Sequence, residues 1–382
     1  MYDNINLTGG SNRMSIIDKK LKKLLDRINS SPTEIKKINL SEYRELLEFP
    51  IEIKSCKVVS EIDISFSGIE KLPEFFYSFT SLKKVNFIGC KNLIIDYSKI
   101  CGLKKLEEIS IYVKSTDNIT KLLECLGQLS IKKLVINGEV ETIPNAIEKL
   151  ENLLVFEIFS TKVKTLPLSI SRLTKLKSIK IWQSIFSPKS PYVDLELEEI
   201  FNVLSKCKKL KEVDLTSNNI TVLPDNINQL EQIKKLLLKK NGIIEVNTKL
   251  FDLTQLEYLD LSVNQISLLP YEISKLINLK CLLINANWKN NINIINLLEN
   301  IENFTQLKEL NLSSCQIELV LPDNMKQLQK LLFLDLDNNN LTEFPNVLYK
   351  LKSLKKIRFG KGIFTEEIKQ FSNIRDDVKI IV

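Results

Sequence analysis

The sequence contains no histidine, and this absence restricts its chemistry more than any other feature. Without histidine there can be no Ser-His-Asp or Cys-His mechanism, no His-ligated metal site and no imidazole proton shuttle near neutral pH. Catalysis by carboxylates or lysine is still chemically open. We therefore expect a protein that is not an enzyme and that needs neither a cofactor nor a metal.

Glycine, proline and aromatic residues are also scarce. The 382 residues include 10 Gly and 11 Pro, which argues against long linkers and low-complexity segments. The seven cysteines form no CxxC pair, no stretch approaches ~18 consecutive apolar residues, and the N-terminus lacks an apolar run of signal-peptide length. These features predict a monomeric, cytoplasmic protein of a reducing compartment, with no membrane partner.

Positive charge is present but not dominant. The chain has 54 basic and 47 acidic side chains, a net charge of +7. Nucleic-acid binding would require the basic residues to gather on one face, so we expect no nucleic-acid partner.

What the sequence does contain is one repeated pattern. Its clearest copies, at residues 210–232, 256–278 and 331–353, are each 23 residues long and read LxxLxLxxNxLxxLPxxIxxLxx. Most of the other copies are 22 to 25 residues long. The repeats start at Ile35, Val59, Leu82, Leu106, Ile131, Leu153, Leu176, Leu210, Ile233, Leu256, Leu279, Leu307, Leu331 and Leu354.

The pattern within one repeat has a direct physical interpretation. In the copy from Leu210, Val213 and Leu215 alternate with polar residues, which predicts a short strand with one buried face. Pro224 ends the extended run, and a short helical segment returns the chain to the next strand. Since one repeat cannot bury its apolar side alone, the repeats must stack, and their strands must form a parallel sheet.

This motif resembles the leucine-rich repeat family, and its 23-residue LP-containing form resembles intracellular Ras-suppressor and Scribble-type proteins and bacterial leucine-rich repeat proteins. The resemblance covers residues 35–362. It implies an α/β solenoid with a curved, concave parallel sheet and with short helices or turns on the convex side. It also implies a protein partner on the concave sheet.

The family's row of asparagines is only half present. Five repeats carry it, at Asn218, Asn241, Asn264, Asn287 and Asn339. The earlier repeats replace it with Ser67, Cys90, Lys114, Glu139, Thr161 and Ser184. Because a buried amide bonds neighbouring backbone groups, we expect the N-terminal half to be looser.

Both ends of the array require caps. Residues 14–34 are interpreted as a capping helix, with Ile17, Leu21, Leu24 and Ile28 on one face and Ser15 with Asp18 as a capping box. Residues 1–13 are expected to be a disordered tail. A membrane-surface helix is the alternative for 14–34. Residues 363–382 predict a closing helix, with Ile368 and Phe371 inward, followed by a last strand.

Two repeats contain insertions. The repeat from Leu176 contains a loop at 185–192 and then the apolar residues Leu197, Ile200 and Leu204, which predict a longer helix. The repeat from Leu279 contains a second helical pattern at Ile294, Leu297, Leu298 and Ile301. Such insertions are typical of the convex side.

Alternating charges occupy the third position of the first five repeats. These residues are Lys37, Glu61, Lys84, Glu108 and Lys133. In-register parallel strands would place neighbours about 4.8 Å apart, so we expect a cross-strand ladder of ion pairs that determines register and solubility.

Aromatic residues at the seventh position indicate a candidate binding site. Tyr112, Phe159 and Trp182 fall there, with Val135 and Val155 beside them. Exposed aromatics at the centre of a sheet are typical anchors for a protein partner. The alternative is that the loop at 185–192 folds over them as private core.

A second, weaker apolar patch comprises Leu237, Tyr258 and Leu283. Cys281 is the one cysteine expected at an exposed position of this face. The aspartates Asp214, Asp260, Asp335 and Asp337 are expected to make the surface of the C-terminal repeats acidic.

The sequence therefore predicts a non-enzymatic scaffold that binds a protein on its sheet. The alternative is the substrate-recognition region of a bacterial effector or ubiquitin-ligase-type protein whose catalytic domain is absent from these residues. Surface adhesion is a third, less favoured interpretation.

Overall fold

A computed structural model describes residues 10–183, 193–287, 292–318, 320–360 and 364–382. The described residues fall into two compact units, 1–162 and 163–382. Each unit consists of stacked repeats in which one strand is followed by a turn and a short helix. The fold is the predicted α/β leucine-rich repeat solenoid.

The first unit contains six parallel strands that pair in chain order. The charged residues at the start of neighbouring strands are in register, as Lys37 with Glu61 and Lys84 with Glu108. The strands are β1 Lys37–Asn39, β2 Glu61–Asp63, β3 Lys84–Phe87, β4 Glu108–Val113, β5 Lys133–Gly138 and β6 Val155–Phe159.

The second unit contains nine parallel strands, again paired in chain order. They are β7 Ser178–Trp182, β8 Glu212–Asp214, β9 Lys235–Leu237, β10 Tyr258–Asp260, β11 Cys281–Leu283, β12 Glu309–Asn311, β13 Phe333–Asp335, β14 Lys356–Arg358 and β15 Lys379–Ile381.

Side chains alternate along each strand between a core face and an exposed face. In β4, Ile109, Ile111 and Val113 are fully buried, whereas the residues between them are only partly buried. Burial of such branched side chains contributes about 1.5–3 kcal/mol each. The same alternation places the predicted binding residues on the opposite side, which we call the exposed face of the sheet.

In eight repeats a proline directly precedes the 3₁₀ helix and marks the end of the extended segment. Pro224 directly precedes a 3₁₀ helix, and its carbonyl accepts the Ile227 N–H at 3.2 Å. The 3₁₀ helices are Pro32–Glu34, Ile51–Ser55, Glu74–Ser78, Tyr97–Gly102, Asn145–Lys149, Leu168–Arg172, Asp225–Gln229, Thr248–Asp252, Tyr271–Lys275, Ile301–Asn303, Asp323–Gln327 and Asn346–Lys350.

Longer returns form α-helices where the sequence has extra residues. They are α1 Gly10–Ser30, α2 Thr116–Leu126, α3 Leu197–Leu204, α4 Ile295–Glu299 and α5 Thr365–Ile374. Helix α3 buries the predicted Leu197, Ile200 and Leu204. Part of each insertion, including the loop at 185–192, lies outside the described residues.

The N-terminal helix is longer than predicted. It begins at Gly10, so residues 10–13 are helical and the predicted tail boundary at residue 13 is wrong. Position 15 consequently lies inside the helix, where it cannot act as an N-cap. Ile28 is fully buried, and Leu21 and Leu24 are half-buried. The side chain of Ile17 lies outside the described residues.

Candidate protein-binding face

Three residues form a row on the exposed face of the first unit. Tyr112 of β4 is in register with Asn137 of β5, and Asn137 is in register with Phe159 of β6. The side-chain amide of Asn137 donates to the carbonyl oxygen of Phe159 at 3.1 Å. The structure therefore aligns two of the three predicted aromatic anchors, Tyr112 and Phe159, in one row, two strands apart with Asn137 between them.

Glu139 orients the phenol of Tyr112. The Tyr112 hydroxyl donates to a Glu139 carboxylate oxygen at 3.2 Å. Burial and, next, the negative charge of Glu139 raise the pKa of Tyr112 to about 12, because both disfavour the phenolate. Glu139 stands where other repeats carry asparagine, so its role as the partner of Tyr112 was not apparent from the repeat pattern.

The two valines predicted beside these aromatics differ in accessibility. Val155 is half-buried, but Val135 is only 2% exposed. Val135 has Ser110 and Glu157 as its strand neighbours. Glu157 is itself buried and forms an ion pair with Lys133, with 3.0 Å between the charged atoms. The prediction that Val135 is an accessible contact residue is therefore wrong.

Trp182 belongs to the second unit. It is the last residue of β7, and its side chain is 39% exposed. The loop that was considered as a possible cover for the aromatics, 185–192, lies outside the described residues.

The second predicted patch is also on an exposed face. Leu237 and Leu283 are the two register neighbours of Asp260, and Tyr258 lies two residues before that aspartate in β10. All three apolar residues are half-buried. The Lys235 ammonium lies 5.0 Å from the centre of the Tyr258 ring, a cation–π geometry that covers one side of the ring.

Cys281 is not the exposed cysteine that was predicted. It is 7% exposed, beside Tyr258 in the register. Burial and, next, the charge of Glu309 raise the pKa of its thiol. The prediction is wrong because the large Tyr258 side chain next to it excludes solvent.

The first four residues of the predicted charge ladder form ion pairs as expected, and only its last member, Lys133, has a different partner. Lys37 pairs with Glu61 at 2.6 Å, and Lys84 pairs with Glu108 at 2.7 Å. Lys133 instead pairs diagonally with Glu157. The ladder therefore continues to the edge of the aromatic row, which gives the row a charged rim.

Of the four aspartates expected to make the surface of the C-terminal repeats acidic, Asp214 and Asp337 are half-buried and the other two are buried. Asp260 and Asp335 are 4% and 1% exposed. Their carboxylates close turns at the strand ends, accepting the backbone N–H groups of Ser262 at 2.9 Å and Asp337 at 3.1 Å. The prediction was wrong for Asp260 and Asp335, whose carboxylates are directed to the backbone of their own turns.

Two further observations on the described residues concern metal binding and membrane-spanning helices. No group of three or more Cys, Asp or Glu side chains there has an arrangement able to hold a metal ion. Within the same ranges, no helix combines the length and the apolar character needed to cross a bilayer.

Comparison with known proteins gives the same fold. A family model described as Leucine Rich Repeat matches residues 255–276, 306–328 and 330–351, and a second Leucine Rich repeat model matches residues 206–222. The structure is similar to a leucine-rich repeat protein of Leptospira interrogans, with a TM-score of 0.61 and 22% identity, covering 94% of this chain and 98% of the other. It is also similar to an internalin of Listeria monocytogenes, with a TM-score of 0.57 and 20% identity. That match covers 88% of this chain and 94% of the internalin.

Similar sequences occur within much longer proteins. The human volume-regulated anion channel subunit LRRC8A is 27% identical over 199 residues, which are 50% of this chain and 23% of that protein. The adenylate cyclase of Schizosaccharomyces pombe is 24% identical over 371 residues, which are 82% of this chain and 22% of that protein. The chain thus spans less than a quarter of the length of these relatives.

The family models, the repeat pattern and the fold agree that the chain contains leucine-rich repeats and folds as a leucine-rich repeat solenoid. Its fold is that of a protein-interaction repeat domain. The 23-residue LP-containing type stays a prediction.

Proposed function

We propose that this chain is a non-enzymatic interaction module that binds a protein partner on the exposed face of its first unit. The observation that carries the proposal is the row Tyr112, Asn137 and Phe159, which the strand register aligns across three neighbouring repeats. Two large aromatic side chains on a rigid sheet can be buried by a partner at little entropic cost, since their backbone is already ordered.

The surroundings of the row support a protein ligand. Hot spots of protein interfaces are typically aromatic anchors enclosed by a polar rim. The ion pairs Lys84–Glu108 and Lys133–Glu157 and the Glu139 carboxylate supply such a rim. The hydrogen bond to Glu139 also orients the Tyr112 phenol.

Val155 extends this site, as a half-buried neighbour on β6. In the second unit, Trp182 and the patch of Leu237, Tyr258 and Leu283 are proposed as separate contact residues. Of these, Trp182 has the largest exposed fraction, which makes it the stronger candidate there.

We also propose a cytoplasmic location. All seven cysteines are free thiols, and free thiols are typical of reducing compartments. We propose in addition that the module acts as a monomer.

The experiment is affinity capture from the native host, followed by binding measurements with the purified partner. The test variant is Tyr112→Ala combined with Phe159→Ala. We expect its Kd to rise by the equivalent of about 2–4 kcal/mol, the usual range for hot-spot truncation.

A matched control keeps the test specific. Leu237→Ala combined with Leu283→Ala removes the same number of half-buried apolar side chains from the other unit. We expect it to bind normally through the first unit. Normal partner binding by a folded Tyr112→Ala, Phe159→Ala variant would overturn the proposed site. If the control alone loses binding, the partner uses the second unit.

A further inference from the structure

Two thiols meet on the side of the first unit that faces away from the sheet. Cys101 lies near the end of the 3₁₀ helix Tyr97–Gly102, and Cys125 lies in α2 of the next repeat. The backbone N–H of Cys101 donates to the Cys125 sulfur, with 2.7 Å between nitrogen and sulfur. The repeat pattern assigned neither cysteine to a face, so their proximity is a result of the tertiary structure.

One backbone oxygen accepts from both thiols. The Cys101 sulfur lies 3.0 Å from the carbonyl oxygen of Ser98, and the Cys125 sulfur lies 3.8 Å from the same atom. A shared acceptor holds the two sulfurs on one side of the turn. Because Ser98 is in the same 3₁₀ helix as Cys101, this arrangement is built into the local fold and does not depend on a flexible side chain.

A cleft gives solvent access to the pair. It has a volume of about 720 Å³ and is lined by both cysteines together with Tyr97, Lys114 and Lys121. Cys101 is half-buried, whereas Cys125 is 5% exposed. A small oxidant entering the cleft therefore reaches Cys101 first.

The Cys125 thiol is also a weak acid. Burial and, next, the hydrogen bond and charge of Cys101 raise the pKa of the Cys125 thiol to about 12. At neutral pH the Cys125 thiol is therefore protonated and does not compete for the oxidant, so it reacts with a sulfenic sulfur only as it gives up its proton. The difference in exposure suits Cys101 to react with an oxidant first and Cys125 to react second.

We propose that Cys101 and Cys125 form a dithiol modification site, which an oxidant of the peroxide class converts into an intramolecular disulfide between neighbouring repeats. The Cys101 thiolate attacks one oxygen of hydrogen peroxide and becomes a sulfenic acid, while the other oxygen departs as hydroxide, takes up the proton that the Cys101 thiol had lost, and leaves as water. The Cys125 sulfur then attacks the sulfenic sulfur. The displaced hydroxide takes the Cys125 proton and leaves as a second water, so two thiols lose two electrons and the peroxide gains them.

The disulfide would close a loop between residues 24 apart in the sequence. It would join the 3₁₀ helix of one repeat to α2 of the next, restricting the local opening of both. This site does not depend on partner binding by the exposed face of the sheet, so the two proposals fail or succeed separately.

The test uses the full chain, first fully reduced and then treated with hydrogen peroxide. The peroxide is removed with catalase, and the protein is unfolded and alkylated with N-ethylmaleimide. Mass spectrometry should show that two of the seven thiols escape alkylation. In a sample that is left without alkylation, the oxidised protein should be lighter than the reduced protein by two hydrogen atoms. Digestion should yield a linked peptide containing Cys101 and Cys125, which dithiothreitol separates.

Single variants identify the order of the two steps. In C125S, Cys101 should stop at the sulfenic acid and be trapped by dimedone, while C101S should give neither product at the same dose. The matched control is C207S, which removes a buried thiol of the second unit and should still form the Cys101–Cys125 link.

A probe that needs no oxidant tests the spacing alone. Phenylarsine oxide bridges two neighbouring thiols, so one equivalent should be retained by the wild-type chain and by C207S, but not by C101S or C125S. Full alkylation of all seven thiols after peroxide treatment would overturn the proposal. A disulfide between other cysteines, between two chains or with added glutathione would overturn it as well.

Discussion

The side-chain oxygen of Asn241 accepts the backbone N–H of Asn218, at 2.9 Å, from the same position one repeat earlier. It also accepts the N–H of Ile220 at 3.1 Å, and its amide donates to the carbonyl of Leu215 at 3.0 Å. One side chain thereby satisfies several backbone groups that the turn removes from any strand or helix. This relationship explains why asparagine recurs at that position.

Asn264 makes the same contacts in the next repeat, and its loss should be costly. Its amide donates to the carbonyls of Leu238 and Leu261, and its oxygen accepts the N–H of Ile243 at 3.2 Å. We expect Asn264→Ala to lower the free energy of unfolding by about 2–4 kcal/mol, since buried backbone groups lose their partners. Urea unfolding followed by circular dichroism checks this, with the exposed Asn373→Ala as control. Equal stability of the two variants would contradict it.

The residue before Asn264 should be a site of backbone strain. Val263 has a φ of 56°, in the left-handed region that β-branched residues strongly disfavour. Asparagine tolerates this region far better, so we expect Val263→Asn to raise the free energy of unfolding by about 1 kcal/mol. Val222→Asn, at a highly exposed position, is the control and should change stability little. A stability gain in the control equal to that at Val263 would argue against strain.

The charge ladder should report on strand register. Glu61→Lys would place a third positive charge between Lys37 and Lys84, the two register neighbours of this position. We expect a loss of about 0.5–1 kcal/mol at low ionic strength, largely recovered in high salt because exposed charges are screened. Glu61→Gln should lose less stability than Glu61→Lys. A loss that is independent of salt would indicate a packing defect instead.

Tyr112 should titrate later than an ordinary tyrosine. Its folded pKa is raised from 10.0 to about 12, so the folded state holds a proton that the unfolded state releases. Stability from this group is therefore complete below pH 10 and is lost as the pH rises from 10 to about 12. We expect Glu139→Gln to lower this pKa part of the way, since burial, the larger cause, remains. Tyrosine-labelled NMR titration, with Tyr112→Phe to assign the signal, measures the shift. An unchanged pKa in Glu139→Gln would contradict the contact.

The C-terminal helix is proposed to cap the array. Phe371 is fully buried, with its ring centre 5.1 Å from that of Tyr349, and Arg375 donates to the carbonyls of Leu351 and Leu354. We expect Phe371→Ala to lower the free energy of unfolding by about 3–5 kcal/mol. It should also speed hydrogen exchange in β13 and β14. The control is Ile374→Ala, at an exposed position on the same helix. Exchange that accelerates equally throughout the second unit would count against a capping role.

Much of the local structure could be predicted from the sequence because the same pattern of residues recurs in each repeat. The register of Lys37 with Glu61, the buried Leu215 and the turn after Pro224 follow from period-two alternation and from proline's lack of an N–H group. The start of α1 could not be predicted, because helix ends outside a repeat have no second copy for comparison.

Accessibility was the property that pattern could not determine. Val135, Cys281 and Asp260 all occupy exposed-face positions in the repeat, yet all three are buried. Whether such a residue reaches solvent depends on the size and pairing of side chains from the strands on either side. Those strands are more than twenty residues away in the chain, so no local pattern contains the information.

The sequence by itself determined the repeat, the alternation of its strands and the absence of histidine chemistry. The tertiary structure decided which neighbours meet: Glu139 with Tyr112, Glu157 with Lys133, and Cys101 with Cys125. The physical reason is that periodic backbone structure depends on residue types a few positions apart. Contacts between side chains depend instead on the stacking of whole repeats and on the irregular turns between them.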